Sequence, residues 1–219
     1  EKHAHLYLNE HIAEPPTLYD DYTNRSAAAA AARMRVGIHM HPRDIKSEVP
    51  THLPENEARK WAYQRYIKDY LRVIASVDDN VGRVLDYLDN TGLADNTIVV
   101  YTSDQGFFLG DHGWYDKRFF YEESLRMPFI VRYPKEVTAG TVNSDIVLNT
   151  DFAPLFLDFA ETDIPETFQG RSIRPLLQGD APPDWRQSMY YRYWMHNAGH
   201  NVYAHYGVRT HRYKLIYYY

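Results

Sequence analysis

The sequence contains no cysteine. That excludes disulfides, thiolate metal sites and a cysteine nucleophile, and it leaves the redox compartment open. No run approaches the ~20 consecutive apolar residues of a membrane span. Charge of one sign is scarce too: 24 basic and 29 acidic side chains leave a net −5, spread along the chain. No basic stripe offers itself to nucleic acid. No internal repeat is visible. Against these absences stand 20 Tyr, 9 Phe and 4 Trp in 219 residues, enough aromatic surface to build a core and to exclude general disorder. The opening Glu-Lys-His-Ala-His reads like the middle of a protein and the closing Lys214-Leu-Ile-Tyr-Tyr-Tyr219 like an interrupted strand, so a fragment is expected.

Residues 1–25 have no sustained period and carry Pro15-Pro16 and Asp20-Asp21, which predicts an extended surface segment. Ser26 is a candidate N-cap for the run Ala27 to Ala32, with a helix reaching about Val36 and ended by Gly37. From Glu55 to Asn90, Ile67, Leu71, Ile74, Val77, Val81, Val84, Leu85 and Leu88 recur at three- and four-residue steps. This is one apolar stripe on a long helix. Thr97-Ile-Val-Val-Tyr-Thr102 is a continuous β-branched run, suited to a strand buried on both faces of a parallel sheet. Helix followed by such a strand places the chain in the α/β class. Pro128 to Tyr133 is a second strand of this kind, and Asp145 to Leu148 a short third. Thr150 or Asp151 caps a helix bearing Phe152, Leu155, Phe156 and Phe159. Met189–Trp194, Val202–Val208 and Tyr213–Tyr219 predict an aromatic antiparallel meander. Two parts follow: residues 1–185, and a small antiparallel subdomain over 186–219.

Ligands of open α/β sheets bind beyond the carboxyl ends of strands. The loop leaving Thr102 reads Ser103-Asp-Gln-Gly-Phe-Phe-Leu-Gly-Asp-His-Gly-Trp-Tyr-Asp-Lys117, three carboxylates, an amide, an imidazole and an ammonium interleaved with aromatics. Asp104 and Gln105 offer two oxygen donors of the kind hard cations such as Ca²⁺ or Mg²⁺ prefer. A structural loop in which Asp104 caps a turn is the competing reading.

The block Tyr101 to Tyr133 resembles type I sulfatases of the alkaline phosphatase-like superfamily, most nearly those acting on sulfated sugars such as glucosamine 6-sulfatases and mucin-desulfating enzymes. The resemblance continues through Asn149–Asp158, Gln169–Leu177 and Tyr206–Thr210 and reaches back to Glu14–Tyr22. It implies a sandwich with a mixed, largely parallel sheet, carrying the small terminal subdomain. It implies hydrolysis of a sulfate ester on a carbohydrate, with a phosphate or phosphonate ester hydrolase of the same superfamily, or a non-catalytic carbohydrate-binding relative, as alternatives. Asp104 and Gln105 take the positions that bind the family's calcium, Gln105 standing where Asn or His is usual. Lys117 takes the position contacting sulfate and leaving oxygen. Asp111 is a candidate for a sugar hydroxyl, or for holding Arg118 or Lys117. His112 is a candidate pocket residue, or one bonded to backbone. His205 is a weaker pocket candidate, against a half-exposed strand position, and Glu122 is a candidate partner for a buried cation. The family's formylglycine is made from the Cys or Ser of a Cys/Ser-x-Pro-x-Arg motif, which these residues lack. The nucleophile and the remaining calcium ligands are therefore expected elsewhere in the protein. Extracellular, periplasmic or lysosomal placement is the habit of the family.

Overall fold

The alanine run closes sooner than its composition suggests. In the computed structural model, which describes residues 2–196 and 198–219, the hydroxyl of Ser26 accepts a hydrogen bond from the Ala29 amide at 3.2 Å and starts α1 (Ala27–Ala31). The helix stops at Ala31 rather than near Val36, because the following backbone is claimed by a distant loop. Val36 donates to the Gly113 carbonyl at 2.8 Å, Tyr115 donates to that of Met34 at 2.9 Å, and Arg35 bridges Trp114. Alanine propensity is worth less per residue than such tertiary pairing. The segment before it is not a surface strap either: Leu18 and Tyr22 are buried, and Tyr22 stacks on Trp114 with ring centroids 5.7 Å apart.

A short α2 (Pro42–Ile45), capped by His41, leads to α3 (Glu55–Asn90), which has the predicted bounds. Glu55 and Glu57 occupy its first turn, where the helix dipole favours negative charge, and Gly92 follows its end at φ +70°. The stripe is buried in its first half and again at Leu88, but not between. Ala62, Tyr63 and Ile67 pack with Leu18, Val36 and Ile45, whereas Val73, Val77 and Val84 line an open groove of about 950 Å³ that runs to Val99–Tyr101. No described helix is long and apolar enough to cross a membrane.

Beyond α3, β1 (Val99–Thr102) pairs with β4 (Phe129–Arg132), and between them β2 (Phe108–Leu109) pairs with β3 (Tyr115–Asp116) and α4 (Glu122–Leu125) adds one turn. The expected parallel pairing is corrected here. β1 and β4 run antiparallel, Val99 opposite Arg132 and Thr102 opposite Phe129, and every ladder among the described residues is antiparallel. Nor are both faces covered, since Ile130 is 62% exposed. A continuous β-branched run records affinity for apolar neighbours, not the direction of the strand beside it. Asp145–Leu148 forms no strand; it enters a 3₁₀ turn (Asn149–Asp151) that leads into α5 (Phe152–Phe159). Leu155 packs with Ile173, Leu176 of α6 (Arg174–Gln178) and Trp185, and Phe152 stacks on Phe129, but Phe156 faces outward.

The terminal meander is as read: β5 (Ser188–Tyr193), β6 (His205–Thr210) and β7 (Lys214–Tyr218) in the order β5-β6-β7. It shares a core with the first part of the chain. Val202, Tyr193 and Tyr218 pack with Tyr22, Ala29, Met34, Phe108, Trp114 and Phe119.

Candidate active site

β1 delivers a tight turn at its carboxyl end. The Ser103 hydroxyl lies 3.0 Å from the Gln105 carbonyl and 3.3 Å from Asp104 Oδ1, and Asn149 Nδ2 donates to the Asp104 carbonyl at 3.2 Å. Gly106 follows because nothing larger fits: a Cβ there would sit 2.1 Å from the Glu123 carbonyl oxygen. The Gly106 amide donates to the Ser124 carbonyl at 2.8 Å, pinning the turn to α4. The Asp104 carboxylate is exposed and meets only the Ser103 hydroxyl among the described residues. It caps no backbone amide, so it stays available to a ligand.

Lys117 approaches the same place from the β2–β3 hairpin. It is flanked by Asp116 at φ +70° and Arg118 at φ +119°, a left-handed backbone that side chains adopt only when their surroundings hold it. The Asp116 carboxylate binds Arg118 at 2.8 Å and His200 at 3.2 Å, and lies 4.0 Å from Lys117 Nζ. Asp104, Gln105 and Lys117 together line a cleft of about 290 Å³, walled further by Asn149, Tyr191 and Tyr193. On this cleft the ammonium of Lys117 offers positive charge to an anion, while the carboxylate and amide oxygens suit a cation.

Asp111, His112 and His205 do not line that cleft. His112, at φ +56°, is committed elsewhere: Nε2 is 3.3 Å from Glu123, its carbonyl accepts the Tyr22 hydroxyl at 2.5 Å, and its amide donates to Thr17 Oγ1 at 2.9 Å. The hydrogen bond from His112 holds the Glu123 carboxyl below the ordinary glutamate range. Asp111 holds neither Arg118 nor Lys117, whose carboxylate is Asp116. Burial, and then the charge of Glu123, push the Asp111 carboxyl up. Glu122 does pair with cations, Arg209 at 2.9 Å and Lys214 at 2.6 Å. Those hydrogen bonds keep its carboxyl low against the opposing effect of burial.

His205 is neither a pocket residue nor half-exposed. It is fully buried, with Phe119, Tyr191, Tyr193 and Tyr218 around it at centroid distances of 5.9, 5.8, 5.4 and 5.4 Å. Its Nδ1 is 2.8 Å from the Tyr203 carbonyl, and burial pushes its pKa down. A histidine kept neutral by folding contributes stability that is whole above its unfolded pKa of about 6.5 and is lost as pH falls through the lower folded value. Thermal unfolding of the complete protein is expected to show a midpoint falling between pH 7 and 5, and His205→Phe to flatten that fall. An unchanged slope in the variant would assign the acid sensitivity to other groups.

Sequence reasoning did not find Tyr191 and Tyr193 as walls of the cleft. Alternation along β5 marks a half-buried strand but not what its inner face overlooks.

For a cation, Asp104 and Gln105 fit as part of a site. Both donors are hard oxygens, the carboxylate is uncommitted, and the Gln105 side chain makes no hydrogen bond among the described residues. Ca²⁺ takes roughly 6 to 8 oxygens, and no cluster of three His, Asp or Glu side chains suited to a metal occurs among the described residues. Two donors are what this segment brings.

Residues 3–162 match the family model described as sulfatase, and residues 110–219 match that of N-sulphoglucosamine sulphohydrolase, C-terminal. The sequence is 41% identical to N-acetylglucosamine-6-O-sulfatase of Bacteroides thetaiotaomicron, an alignment covering 100% of this chain and 47% of that protein. Human N-acetylglucosamine-6-sulfatase is 34% identical over 60% of this chain and 24% of its own length. Among solved structures, BT4656 in complex with its substrate D-glucosamine-2-N,6-O-disulfate superposes with TM-score 0.92 at 40% identity, covering 100% of this chain and 53% of that one. The phosphonate monoester hydrolase SpPMH from Silicibacter pomeroyi superposes with TM-score 0.68 at 26% identity, over 94% of this chain and 41% of the other. The chain thus spans about half, or less, of the length of the relatives it matches. These neighbours carry the alkaline phosphatase-like α/β fold expected from the sequence. The chain belongs to the sulfatase family.

Proposed function

We propose that the complete protein hydrolyses a sulfate ester on a glucosamine-type sugar, and that these residues form the metal and leaving-group side of its active site. The observation that carries this is the cleft in which Asp104 and Gln105 face Lys117. Overall, the sulfur–oxygen bond to the sugar breaks while water supplies both the oxygen that replaces it on sulfur and the proton that the sugar oxygen takes, giving the free hydroxyl and hydrogen sulfate. Asp104 and Gln105 would hold Ca²⁺, whose charge steadies the sulfate oxygens. Lys117 places its ammonium where negative charge develops on the departing sugar oxygen and can donate a hydrogen bond to it. Tyr191 and Tyr193 offer apolar rings to a sugar face. Asp111, partly buried and outside this cleft, is a candidate for a hydroxyl of a sugar that reaches past it. On this reading the nucleophile would be a formylglycine outside these 219 residues, which contain no Cys/Ser-x-Pro-x-Arg motif. Residues 1–185 are read as part of the catalytic unit and 186–219 as the opening of a terminal subdomain.

Support for the sugar sulfate comes from the relatives acting on N-acetylglucosamine 6-sulfate and from BT4656 with its disulfated glucosamine. The likeness to a phosphonate monoester hydrolase makes the test comparative. The complete protein, given glucosamine 6-sulfate and a phosphonate monoester, is expected to favour the sulfate in kcat/KM by at least about a hundredfold. Preference for the phosphonate would transfer the site to that chemistry, and turnover of neither would remove the catalytic reading.

A further inference from the structure

Asp116 is a junction of charges beside the cleft, although it does not line it. Its carboxylate is largely buried, and Oδ2 is taken twice: by the Arg118 guanidinium at 2.8 Å and by His200 Nε2 at 3.2 Å. Oδ1 is turned toward Lys117 Nζ at 4.0 Å. The backbone is shaped to allow this. Asp116 sits at φ +70° and Arg118 at φ +119°, so both neighbours of Lys117 hold conformations that side chains ordinarily avoid. His200 arrives from the loop before β6, and its Nδ1 lies 3.2 Å from the Arg33 carbonyl. Segments far apart in sequence, around Arg33 and around His200, therefore help to hold one carboxylate. Asp116 lies in β3 opposite Phe108, past the turn of the hairpin, so the turn itself does not require its positive φ. Here the left-handed position carries an acid whose remaining oxygen faces the ammonium.

We propose that Asp116 is a positioning residue for Lys117, aiming the ammonium into the cleft and keeping a counter-charge behind it. This inference rests on the reading of Lys117 given above. The 4.0 Å separation is longer than a direct hydrogen bond, so the carboxylate directs the ammonium without occupying it. Lys117 keeps its donors for an ester oxygen in front. Arg118 and His200 supply the positive partners that hold the carboxylate in place.

The test is a double-mutant cycle in the complete protein with glucosamine 6-sulfate as substrate. Asp116→Asn keeps a residue tolerant of left-handed backbone while removing the charge, and Asp116→Gly keeps the backbone with no side chain. Each is measured in the parent and in a Lys117→Ala background, alongside its thermal midpoint. The expected result is a kcat loss of about 10- to 100-fold in the parent with KM little changed. In the Lys117→Ala background the further loss should be less than about twofold, because the group being aimed is gone. Equal losses in both backgrounds would reduce Asp116 to a structural role and overturn the proposal, as would an Asp116→Asn or Asp116→Gly enzyme as fast as the parent. A Lys117→Ala enzyme that keeps full activity would overturn both this inference and the sulfatase role given to Lys117. A slow Lys117→Ala enzyme with unaffected Asp116 variants would overturn this inference alone.

Discussion

Lys117→Ala in the complete protein is expected to lower kcat on a glucosamine 6-sulfate by about 10²- to 10³-fold, with a smaller change in KM. The magnitude is what removing one preorganised charge at a developing anion costs in other enzymes, about 3–4 kcal/mol of transition-state stabilisation. The asymmetry follows from timing. In the bound ester the bridging oxygen is nearly neutral, so the ammonium gains most as that oxygen separates from sulfur. The fold should not suffer, because the side chain is 39% exposed and, among the described residues, only Asp116 lies within ion-pair reach. Lys117→Arg should recover little, since a planar guanidinium cannot replace a compact ammonium 5.8 Å from the Phe107 ring centroid. Steady-state kinetics with matched unfolding curves give the answer. A kcat within tenfold of the parent would take Lys117 out of the reaction.

The second large effect concerns stability. Asp151 is fully buried and accepts hydrogen bonds from the Leu148 amide at 2.8 Å, the Arg171 amide at 2.9 Å and both guanidinium nitrogens of Arg186, Nη2 at 2.7 Å. Asp151→Asn removes the charge and half of the acceptors while leaving Arg186 in place, its side chain only 15% exposed. Breaking a buried pair from one side costs about 3–5 kcal/mol, because the surviving charge has lost its counterpart without regaining water. At roughly 2–4 °C per kcal/mol for a chain of this size, the thermal midpoint should fall by about 6–20 °C. Removing both members, Asp151→Asn with Arg186→Met, should return part of the loss. A midpoint within about 2 °C of the parent in the single variant would show that water reaches Arg186. The effect extends to the cleft, since Asp151 anchors the turn from which Asn149 holds the Asp104 carbonyl.

The elements written in local chemistry were legible before any coordinates. The 36-residue helix announces itself by period, the Ser26 cap by its hydroxyl, and the terminal meander by its aromatic runs. Pairing across long separations was not. Nothing around Thr97–Thr102 states that Phe129–Arg132 lies beside it in the opposite sense, and nothing in the alanines states that Gly113 and Tyr115 will take the backbone that follows. The candidate site divided in the same way. Asp104 and Gln105 stood out by following one strand directly and Lys117 through the family block it sits in, and the cleft brings the three together. His205 misled, because a histidine beside a family motif looks the same whether it faces a cleft or four aromatic rings. Asp116 passed unnoticed because its interest lies in a backbone angle that sequence does not display.

The shared core around Trp114 joins Tyr22, near one end of the chain, to Tyr218, next to the other. Contacts so distant in sequence form late, because closing a long loop costs entropy before any packing compensates it. During synthesis the hairpin bearing Lys117 leaves the ribosome well before β7, and until β7 arrives Phe119 and Trp114 have no finished cavity to fill. Assembly of the surroundings of Lys117 is thereby tied to completion of the β5-β6-β7 meander, so a nascent chain stalled before β7 would present aromatic surface to chaperones rather than an organised cleft.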